Sequence, residues 1–175
     1  MVKALLRRRK DKDIVRIRKP YVLREGLPPN GHWSFTEIMN ANGSYCGFVY
    51  GVRNRLNGKM YLGRKQYMEA GPKGKQMSDW KTYTTSNREI DNLARTLLGS
   101  GVPVTDLFDM VVLEEYRTIG TLCFAEVWCI VTAETPANKN LFYNTLINGV
   151  SWHIKEQISQ RNRDRLKAFL LGELK

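Results

Sequence analysis

The dipeptide Asn57-Gly58 constrains the fold of this chain more than any other feature. Asparagine and glycine tolerate the positive φ angles that a tight reversal between twisted β-strands requires. Apolar and aromatic residues flank the dipeptide, and Tyr50 and Tyr61 lie eleven positions apart across it. The sequence therefore predicts a β-hairpin with one tyrosine on each strand.

The length of the hairpin loop decides which side chains share a face of the sheet. A two-residue turn would place Tyr50 opposite Lys65 and would put Asn54 and Tyr61 on the same face. A four-residue loop over residues 55–58 keeps this face but reduces the offset between the tyrosines from four residues to two. A loop with an odd number of residues would place the tyrosines on opposite faces. We expect an even loop.

The residues around both tyrosines resemble the two motifs of the GIY-YIG nucleases, most closely those of phage-encoded homing endonucleases. These residues are Phe48-Val49-Tyr50 and Tyr61-Leu62-Gly63. Phe48 stands where the family usually has glycine, and Gly47 is displaced by one position, whereas both tyrosines and their spacing are kept. The resemblance implies an α/β fold of the α+β type, with a small antiparallel three-stranded sheet flanked by helices. The hairpin alone is equally typical of a half-buried sheet with aromatic cross-strand pairs.

The composition is typical of one packed domain with an extension, since 42% of the 175 residues are apolar. The sequence holds no run of about 18 apolar residues and begins without the apolar stretch of a secretory signal, which predicts a soluble intracellular protein. Cys46, Cys123 and Cys129 show no Cys-x-x-Cys spacing, and His32 and His153 are isolated. This pattern indicates neither a disulfide framework nor a zinc site, and it favours small buried cysteines.

The net charge of +11 is concentrated at the two ends of the chain. Residues 1–24 hold ten basic and two acidic residues, residues 151–175 hold six and three, and residues 25–150 hold twelve of each. Basic ends around a neutral body favour nucleic acid as the partner, because they neutralise phosphates. For the N-terminal arm alone, a solvated leader that contacts any acidic surface is an equally good interpretation. The candidate DNA-binding residues are Arg7, Arg8, Arg9, Lys10, Arg16, Arg18, Arg64, Lys73, Lys75, Arg161, Arg163 and Arg165.

We predict three parts: a basic arm with its connector over residues 1–46, a catalytic domain over 47–148, and a basic C-terminal helix over 149–175. Residues 71–76 are rich in glycine and lysine, which predicts an exposed loop. Neither helix-turn-helix nor zinc-finger spacing is present in the sequence. Any sequence specificity would therefore come from the arm, this loop or the last helix.

Local signals place the remaining elements of the catalytic domain. Ser86-Asn87-Arg88-Glu89 fits a capping box that opens a helix, and Gly99-Ser100-Gly101 ends that helix. An apolar and β-branched run over residues 107–113 predicts a third strand, followed by a helix from about residue 121 to 133. A partly regular apolar stripe predicts a final helix over residues 151–171.

Glu126 is the residue of this chain that most needs a partner. Its neighbours three and four positions away along the predicted helix are all apolar, so its carboxylate projects from the face that packs inward. Burial of an ionised carboxylate without a partner is costly or raises its pKa. The side chain therefore requires an ion pair with an arginine from another element, a hydrogen-bond network or a metal ion.

The resemblance to GIY-YIG nucleases favours the metal ion, because the metal-binding glutamate of that family lies on a helix shortly after a strand ending in Leu-Glu-Glu. Leu113-Glu114-Glu115 followed by Glu126 reproduces this layout. Asn144 resembles the late asparagine that sits near the scissile phosphate, although it also fits a turn residue. The family also uses a cation after the hairpin, and we prefer Lys81 with Lys65, either of which could be an ordinary solvated charge. The four competing cations are Arg64, Lys65, Lys81 and Arg88.

The resemblance implies phosphodiester hydrolysis, which requires an activated water and a stabilised charge on the phosphoryl group. A neighbouring lysine or arginine would favour phenolate at Tyr50, which would then take a proton from water while Tyr61 holds water or phosphate. Glu126 would bind Mg²⁺ or another divalent cation such as Mn²⁺, because the set offers oxygen ligands. The sequence thus predicts a metal-dependent DNA endonuclease of the phage homing type. The alternatives are a catalytically degenerate nucleic-acid-binding module and a structure-specific DNA repair nuclease.

Overall fold

The fold is a small antiparallel sheet between helices. A computed structural model describes residues 28–72, 74–144 and 159–174 of the chain. Its central sheet has three strands in the order β2-β1-β5, which confirms the predicted fold class. The elements are β1 (Gly47–Asn54), β2 (Met60–Gln66), β3 (Met68–Gly71), β4 (Gly74–Met77), α1 (Arg88–Gly99), a 3₁₀ turn (Val104–Asp106), β5 (Phe108–Tyr116), α2 (Ile119–Thr132) and α3 (Gln160–Leu171).

The hairpin of β1 and β2 closes with a four-residue loop, so the prediction of an even loop is confirmed. Tyr50 lies opposite Gly63, and Tyr61 lies opposite Val52, which gives the offset of two residues. The register with Tyr50 opposite Lys65 is wrong, because Lys65 pairs with Phe48. The wider loop forms because the Asn54 side chain accepts a hydrogen bond from the Leu56 amide at 2.9 Å, and the Asn57 side chain accepts one from the Lys59 amide at 3.0 Å.

Strand β1 is buried on both faces and divides the core into two layers. One face carries Phe48, Tyr50 and Val52, which pack with α1 and with the aromatic residues Trp33 and Trp80. The other face packs against α2 and α3. Its buried side chains include Val49, Leu62, Leu113, Leu122, Ile130, Leu166 and Phe169. Helices on both faces hold the hairpin rigidly, so the positions of the two tyrosines are fixed by the core itself.

Helix α1 begins one position away from the predicted cap. Asn87 is the cap residue, and its side-chain oxygen accepts hydrogen bonds from the amides of Glu89 at 3.0 Å and Ile90 at 3.2 Å. The predicted capping role of Ser86 is therefore wrong, because its hydroxyl contacts Tyr61 instead. The helix ends at Gly99, as the sequence predicted.

Residues 71–76 do not form a plain loop. Strands β3 and β4 pair as a separate two-stranded ribbon, and Gly74 supplies a φ of +107° at its turn. The prediction was wrong because four-residue strands with so few apolar residues carry almost no strand signal. Lys73 at the ribbon turn lies outside the described residues.

The segment before β1 belongs to the core and also extends the sheet. The Trp33 ring is buried, and its indole N–H donates to the Trp80 carbonyl at 2.6 Å. Ser34 then bonds to the β5 backbone, donating to the Met110 carbonyl and accepting from the Val112 amide. The division of the chain at residues 46 and 148 stays a prediction.

The predictions for the remaining strand, the last two helices, the cysteines and the arm have mixed outcomes. Strand β5 and helix α2 form close to where they were expected, and α3 is described from Gln160, with residues 151–158 of the predicted helix outside the described ranges. Cys46, Cys123 and Cys129, all within those ranges, form no disulfide. No helix in the described part of the chain has the length and apolar run needed to cross a membrane. The arm residues Arg7, Arg8, Arg9, Lys10, Arg16 and Arg18, and also His153, lie outside the described residues.

Candidate active site

The outer edge of β2 is where the predicted site residues converge. The first half of this edge is covered by the segment before residue 145, where Met60 exchanges backbone hydrogen bonds with Leu141 and Tyr143. The Asn144 side chain continues the pairing: its oxygen accepts from the Leu62 amide, and its amide group donates to the Leu62 carbonyl, both at 2.8 Å. Asn144 thus acts as a substitute for a strand residue and fixes this part of the edge.

Tyr61 projects from this strand beside the start of α1. Its hydroxyl hydrogen-bonds to Ser86 Oγ at 2.8 Å. Burial raises the pKa of Tyr61, the hydrogen bond to Ser86 lowers it, and the negative charge of Glu126 raises it. The charge of Glu126 therefore acts on Tyr61, although the two side chains approach the edge of the sheet from opposite faces.

Tyr50 lies beneath this surface and is fully buried. Its ring centroid is 6.2 Å from that of Tyr61 and 6.1 Å from that of Tyr83. Its hydroxyl makes no hydrogen bond of good geometry among the described residues, although the Tyr83 and Thr85 side chains lie close enough to influence its pKa. Burial, followed by the neighbouring phenols Tyr83 and Tyr61, raises the pKa of Tyr50 well above its ordinary value. The predicted direction of this shift is wrong, because the phenol lies in an aromatic core and not beside a cation.

Glu126 on α2 reaches the β2 edge from the other face. Its Oε2 atom lies 2.9 Å from Nε of Arg64, and the two side chains are 19% and 30% exposed. Burial raises the pKa of Glu126, and the charge and hydrogen bonds of Arg64 act in the opposite direction. This ion pair with an arginine from another element is one of the three arrangements that the sequence predicted for the buried carboxylate. The carboxylate still reaches solvent at the edge.

The candidate cations differ in how fully they are already engaged. The Lys65 ammonium pairs with Asp79 and lies 4.2 Å from the Tyr83 ring centroid, and its side chain is 11% exposed. The Lys81 ammonium lies over the ring of its neighbour Trp80 at 5.5 Å. Arg88 is exposed in the first turn of α1, two positions after Ser86. Arg64 is itself paired with Glu126, so these contacts do not decide among the four cations, and the pair of Lys81 with Lys65 stays a prediction.

A scan against family models gave a match over residues 33–147, to the family described as "Putative endonuclease segE, GIY-YIG domain". This match covers more than half of the chain and includes the hairpin, Glu126 and Asn144. The chain belongs to the GIY-YIG nuclease family. The resemblance inferred from the two tyrosine motifs is thereby confirmed. No curated protein and no solved structure gave a match in the corresponding comparisons.

Membership in the GIY-YIG family indicates an endonuclease domain and DNA as its substrate. The roles of individual residues stay predictions. The three sites that the sequence placed far apart, Tyr61, Glu126 and Asn144, come together along one strand edge.

Glu126 is the side chain at this edge whose carboxylate oxygens could serve a hard cation as ligands, and it is already paired with Arg64. Within the described residues, no group of three or more histidine, cysteine, aspartate or glutamate side chains could hold a metal ion. An ion at Glu126 would have to complete its coordination with water or phosphate oxygens, as Mg²⁺ usually does, and its binding stays a prediction.

The arginines of the last helix, which were predicted to bind DNA, make contacts with other residues of the same protein. Arg161 pairs with Glu37 at 3.1 Å, and Arg165 donates to the Val112 carbonyl. Arg163 lies 5.4 Å from the centroid of a Trp128 ring. Arg161 and Arg165 therefore stabilise the packing of α3, whereas Lys75 is exposed on β4. Binding of DNA by these residues stays a prediction.

Two side chains near the site carry roles that sequence reasoning missed. Ser86 was interpreted as a helix cap, yet it holds the Tyr61 hydroxyl. Tyr83 covers Tyr50, and burial raises its own pKa to about 12. The signal that could have found them is the run of hydroxyl side chains, residues 82–86, immediately before α1.

Proposed function

We propose that this protein is a metal-dependent DNA endonuclease of the homing type, with its active site at the outer edge of β2. The observation that carries the proposal is the convergence of Tyr61, the Arg64–Glu126 pair and Asn144 on that edge. Membership in a nuclease family supplies the reaction class.

Hydrolysis of a phosphodiester bond needs a positioned water and compensation of the charge that develops on the phosphoryl oxygens. In our proposal Tyr61 and Tyr50 act as neutral hydroxyls, because burial raises the pKa of both phenols. Tyr61, held by Ser86, orients the attacking water or a phosphate oxygen at the surface. Tyr50 lies directly below it, with the ring centroids 6.2 Å apart, and its hydroxyl contributes a dipole to the site from beneath the surface.

The cations of the edge compensate the phosphate charge in this proposal. Arg64 is next to Glu126 and 30% exposed, and Arg88 is exposed at the start of α1. Guanidinium groups match phosphate oxygens through paired hydrogen bonds, which makes both suitable. A Mg²⁺ ion held by Glu126, when bound, would stabilise charge on the phosphate and lower the pKa of a water ligand.

Asn144 takes a positioning role in this account. Both polar atoms of its side chain are bonded to Leu62, and the residue is 5% exposed. It therefore holds the strand that carries Tyr61 and Arg64, and it acts on the phosphate through that strand.

A binding module is the second candidate function. The ion pair between Arg64 and Glu126 favours it, because a neutralised carboxylate serves a DNA-binding surface without any metal. The two functions differ in their response to metal, since a binding module would hold DNA equally well with or without a divalent cation.

The test is cleavage of supercoiled plasmid by the full chain with Mg²⁺, after addition of a chelator, and after the metal is restored. The proposal predicts nicked or linear product that is lost with the chelator and recovered with the metal. Cleavage that persists in the chelator would contradict metal dependence. Mapping of the cut sites addresses the homing role: a preferred linear sequence supports it, whereas a preference for branched substrates would indicate a repair nuclease.

A further inference from the structure

The ribbon formed by β3 and β4 is an element that the proposed chemistry does not use. It leaves the body immediately after β2, the strand that carries the candidate site. All four residues of β4 are exposed, and the Met77 side chain at its end is 53% exposed. The ribbon is thus an exposed element beside the site for a polymer substrate, which makes it a candidate contact surface.

The base of the ribbon is fixed firmly to the body. The Ser78 amide donates to the Tyr67 carbonyl at 2.7 Å, and the Ser78 hydroxyl donates to the Gln66 carbonyl at 2.6 Å. The fully buried Tyr67 between β2 and β3 donates from its amide to Cys46 at 3.0 Å. The ribbon therefore projects in a defined direction from the end of the strand that carries Tyr61.

The two faces of the ribbon differ in charge. Met68 lies opposite Met77 and Ala70 lies opposite Lys75, which places these four side chains on one face, here termed the lysine face. Glu69 lies opposite Gln76 on the other face. The carboxylate repels phosphates, so only the lysine face complements DNA.

We propose that the lysine face of the ribbon enters the major groove of the substrate DNA beside the cleavage site and contacts base edges there. This inference rests on the proposed function as a DNA endonuclease. The major groove is about 12 Å wide and admits a two-stranded ribbon. Strands of four residues span about 13 Å, or about four base pairs along the groove.

The side chains of the lysine face fit the chemistry of the major groove. A lysine donates to the guanine O6 and N7 acceptors, and an apolar side chain contacts the thymine methyl group. Lys75 and Met77 are both exposed and supply these two contacts. The ribbon thus gives the endonuclease a specificity element separate from its catalytic edge.

The experiment measures the affinity of the full chain for a mixed-sequence DNA duplex several turns long by fluorescence anisotropy at fixed salt. All proteins carry Glu126→Gln, so that binding is read without cleavage. One variant adds Lys75→Ser and Met77→Ser on the lysine face. The matched control adds Glu69→Ser and Gln76→Ser on the opposite face. These four side chains are exposed or at the ribbon surface, so the fold of the body is preserved.

We expect the lysine-face variant to bind DNA about tenfold more weakly and the control, which loses the repulsive carboxylate of Glu69, to bind at least as well as its parent. Methyl green, which occupies the major groove, should compete with the parent, and the minor-groove ligand netropsin should not. Equal affinity of the two variants, or competition by netropsin alone, would overturn the inference. A change in self-association instead of DNA affinity would also overturn it, because Met77 would then contact a second copy.

The experiments distinguish a failure of the nuclease proposal from a failure of the ribbon inference. If the wild-type protein binds DNA through the lysine face but does not cut it, the nuclease proposal fails and the ribbon inference stands. If it cuts DNA and the lysine-face variant binds as tightly as its parent, only the ribbon inference fails. Absence of any DNA binding by the parent would overturn both.

Discussion

The Tyr50 hydroxyl is expected to reduce stability while it serves the site, and Tyr50→Phe tests this directly. The ring stays packed against Trp33, Tyr61 and Tyr83 in the variant, since only the oxygen is removed. A buried polar group without a partner costs roughly 1–3 kcal/mol. This hydroxyl makes no hydrogen bond of good geometry among the described residues, and its polar neighbours Tyr83 and Thr85 compensate it only weakly. We therefore expect the free energy of unfolding to stay unchanged or to rise by about 1–2 kcal/mol.

Tyr67→Phe is the matched control for this variant. Tyr67 is also fully buried, but its hydroxyl donates to the Glu115 carboxylate. Loss of a hydrogen bond to a charged group costs roughly 1.5–3 kcal/mol, so Tyr67→Phe should lower the free energy of unfolding. Urea denaturation followed by the fluorescence of the buried Trp33 and Trp80 measures both variants.

Cleavage of plasmid DNA by the same preparations completes the test. The account predicts that Tyr50→Phe keeps its stability and loses at least about tenfold in cleavage rate, because removal of one preorganised hydroxyl dipole near developing charge costs on the order of 10²–10³. If Tyr50→Phe is destabilised as strongly as Tyr67→Phe, the hydroxyl has a structural partner and the reasoning is refuted. If it keeps full activity, Tyr50 has no part in catalysis.

Three further variants test other parts of the account. Ser86→Ala removes a hydrogen bond that lowers the pKa of Tyr61, so the phenol titration and the alkaline limb of the cleavage profile should move to higher pH, whereas Ser86→Thr should behave as wild type. Asn144→Ala leaves the Leu62 amide and carbonyl unpaired and should lower the free energy of unfolding by about 2–4 kcal/mol in urea denaturation. Burial lowers the pKa of His32 from 6.5 to about 4, so the unfolded chain takes up the proton first, and stability should fall as pH drops from 6.5 towards 4. That loss is at most about 1.4 kcal/mol per pH unit, and His32→Gln should reduce it; an unchanged pH dependence in the variant would contradict the assignment to His32.

The hairpin shows what sequence reasoning could establish. The alternation of side chains along a strand is local, so the shared face of Tyr50 and Tyr61 followed from their spacing together with the expected even length of the loop. The apolar neighbours of Glu126 likewise predicted that its carboxylate needs a partner. Arg64 was named as a candidate cation, yet its pairing with Glu126 depends on how α2 crosses β2, which no local pattern encodes.

The environment of Tyr50 shows what sequence reasoning could not establish. Its burial depends on Trp33 and Tyr83, which come from segments on either side of the hairpin in sequence. The same limit explains Asn144, whose two hydrogen bonds to Leu62 join residues 82 positions apart. The local sequence does not distinguish an asparagine in a turn from one that extends a sheet edge, because the difference depends on how the segment packs against the strand.

The prediction of the helix cap at α1 was wrong for a different reason. Ser86 and Asn87 are both good cap residues, and their preferences are nearly equal. The choice between them was decided by Tyr61, which takes the Ser86 hydroxyl and leaves Asn87 to bond the first amides of the helix. The residue that a local rule misplaced is therefore one that contacts the candidate site.

The central claim is that Glu126 serves catalysis at the β2 edge, and the most direct test is to measure DNA affinity and Mg²⁺-dependent cleavage in parallel for Glu126→Gln. Glu114→Gln is the matched control, since Glu114 is also partly buried and accepts a hydrogen bond from Ser159, which lies in a different part of the fold. The account predicts that Glu126→Gln retains DNA affinity and loses cleavage, while Glu114→Gln retains both. Full metal-dependent cleavage by Glu126→Gln would contradict the account.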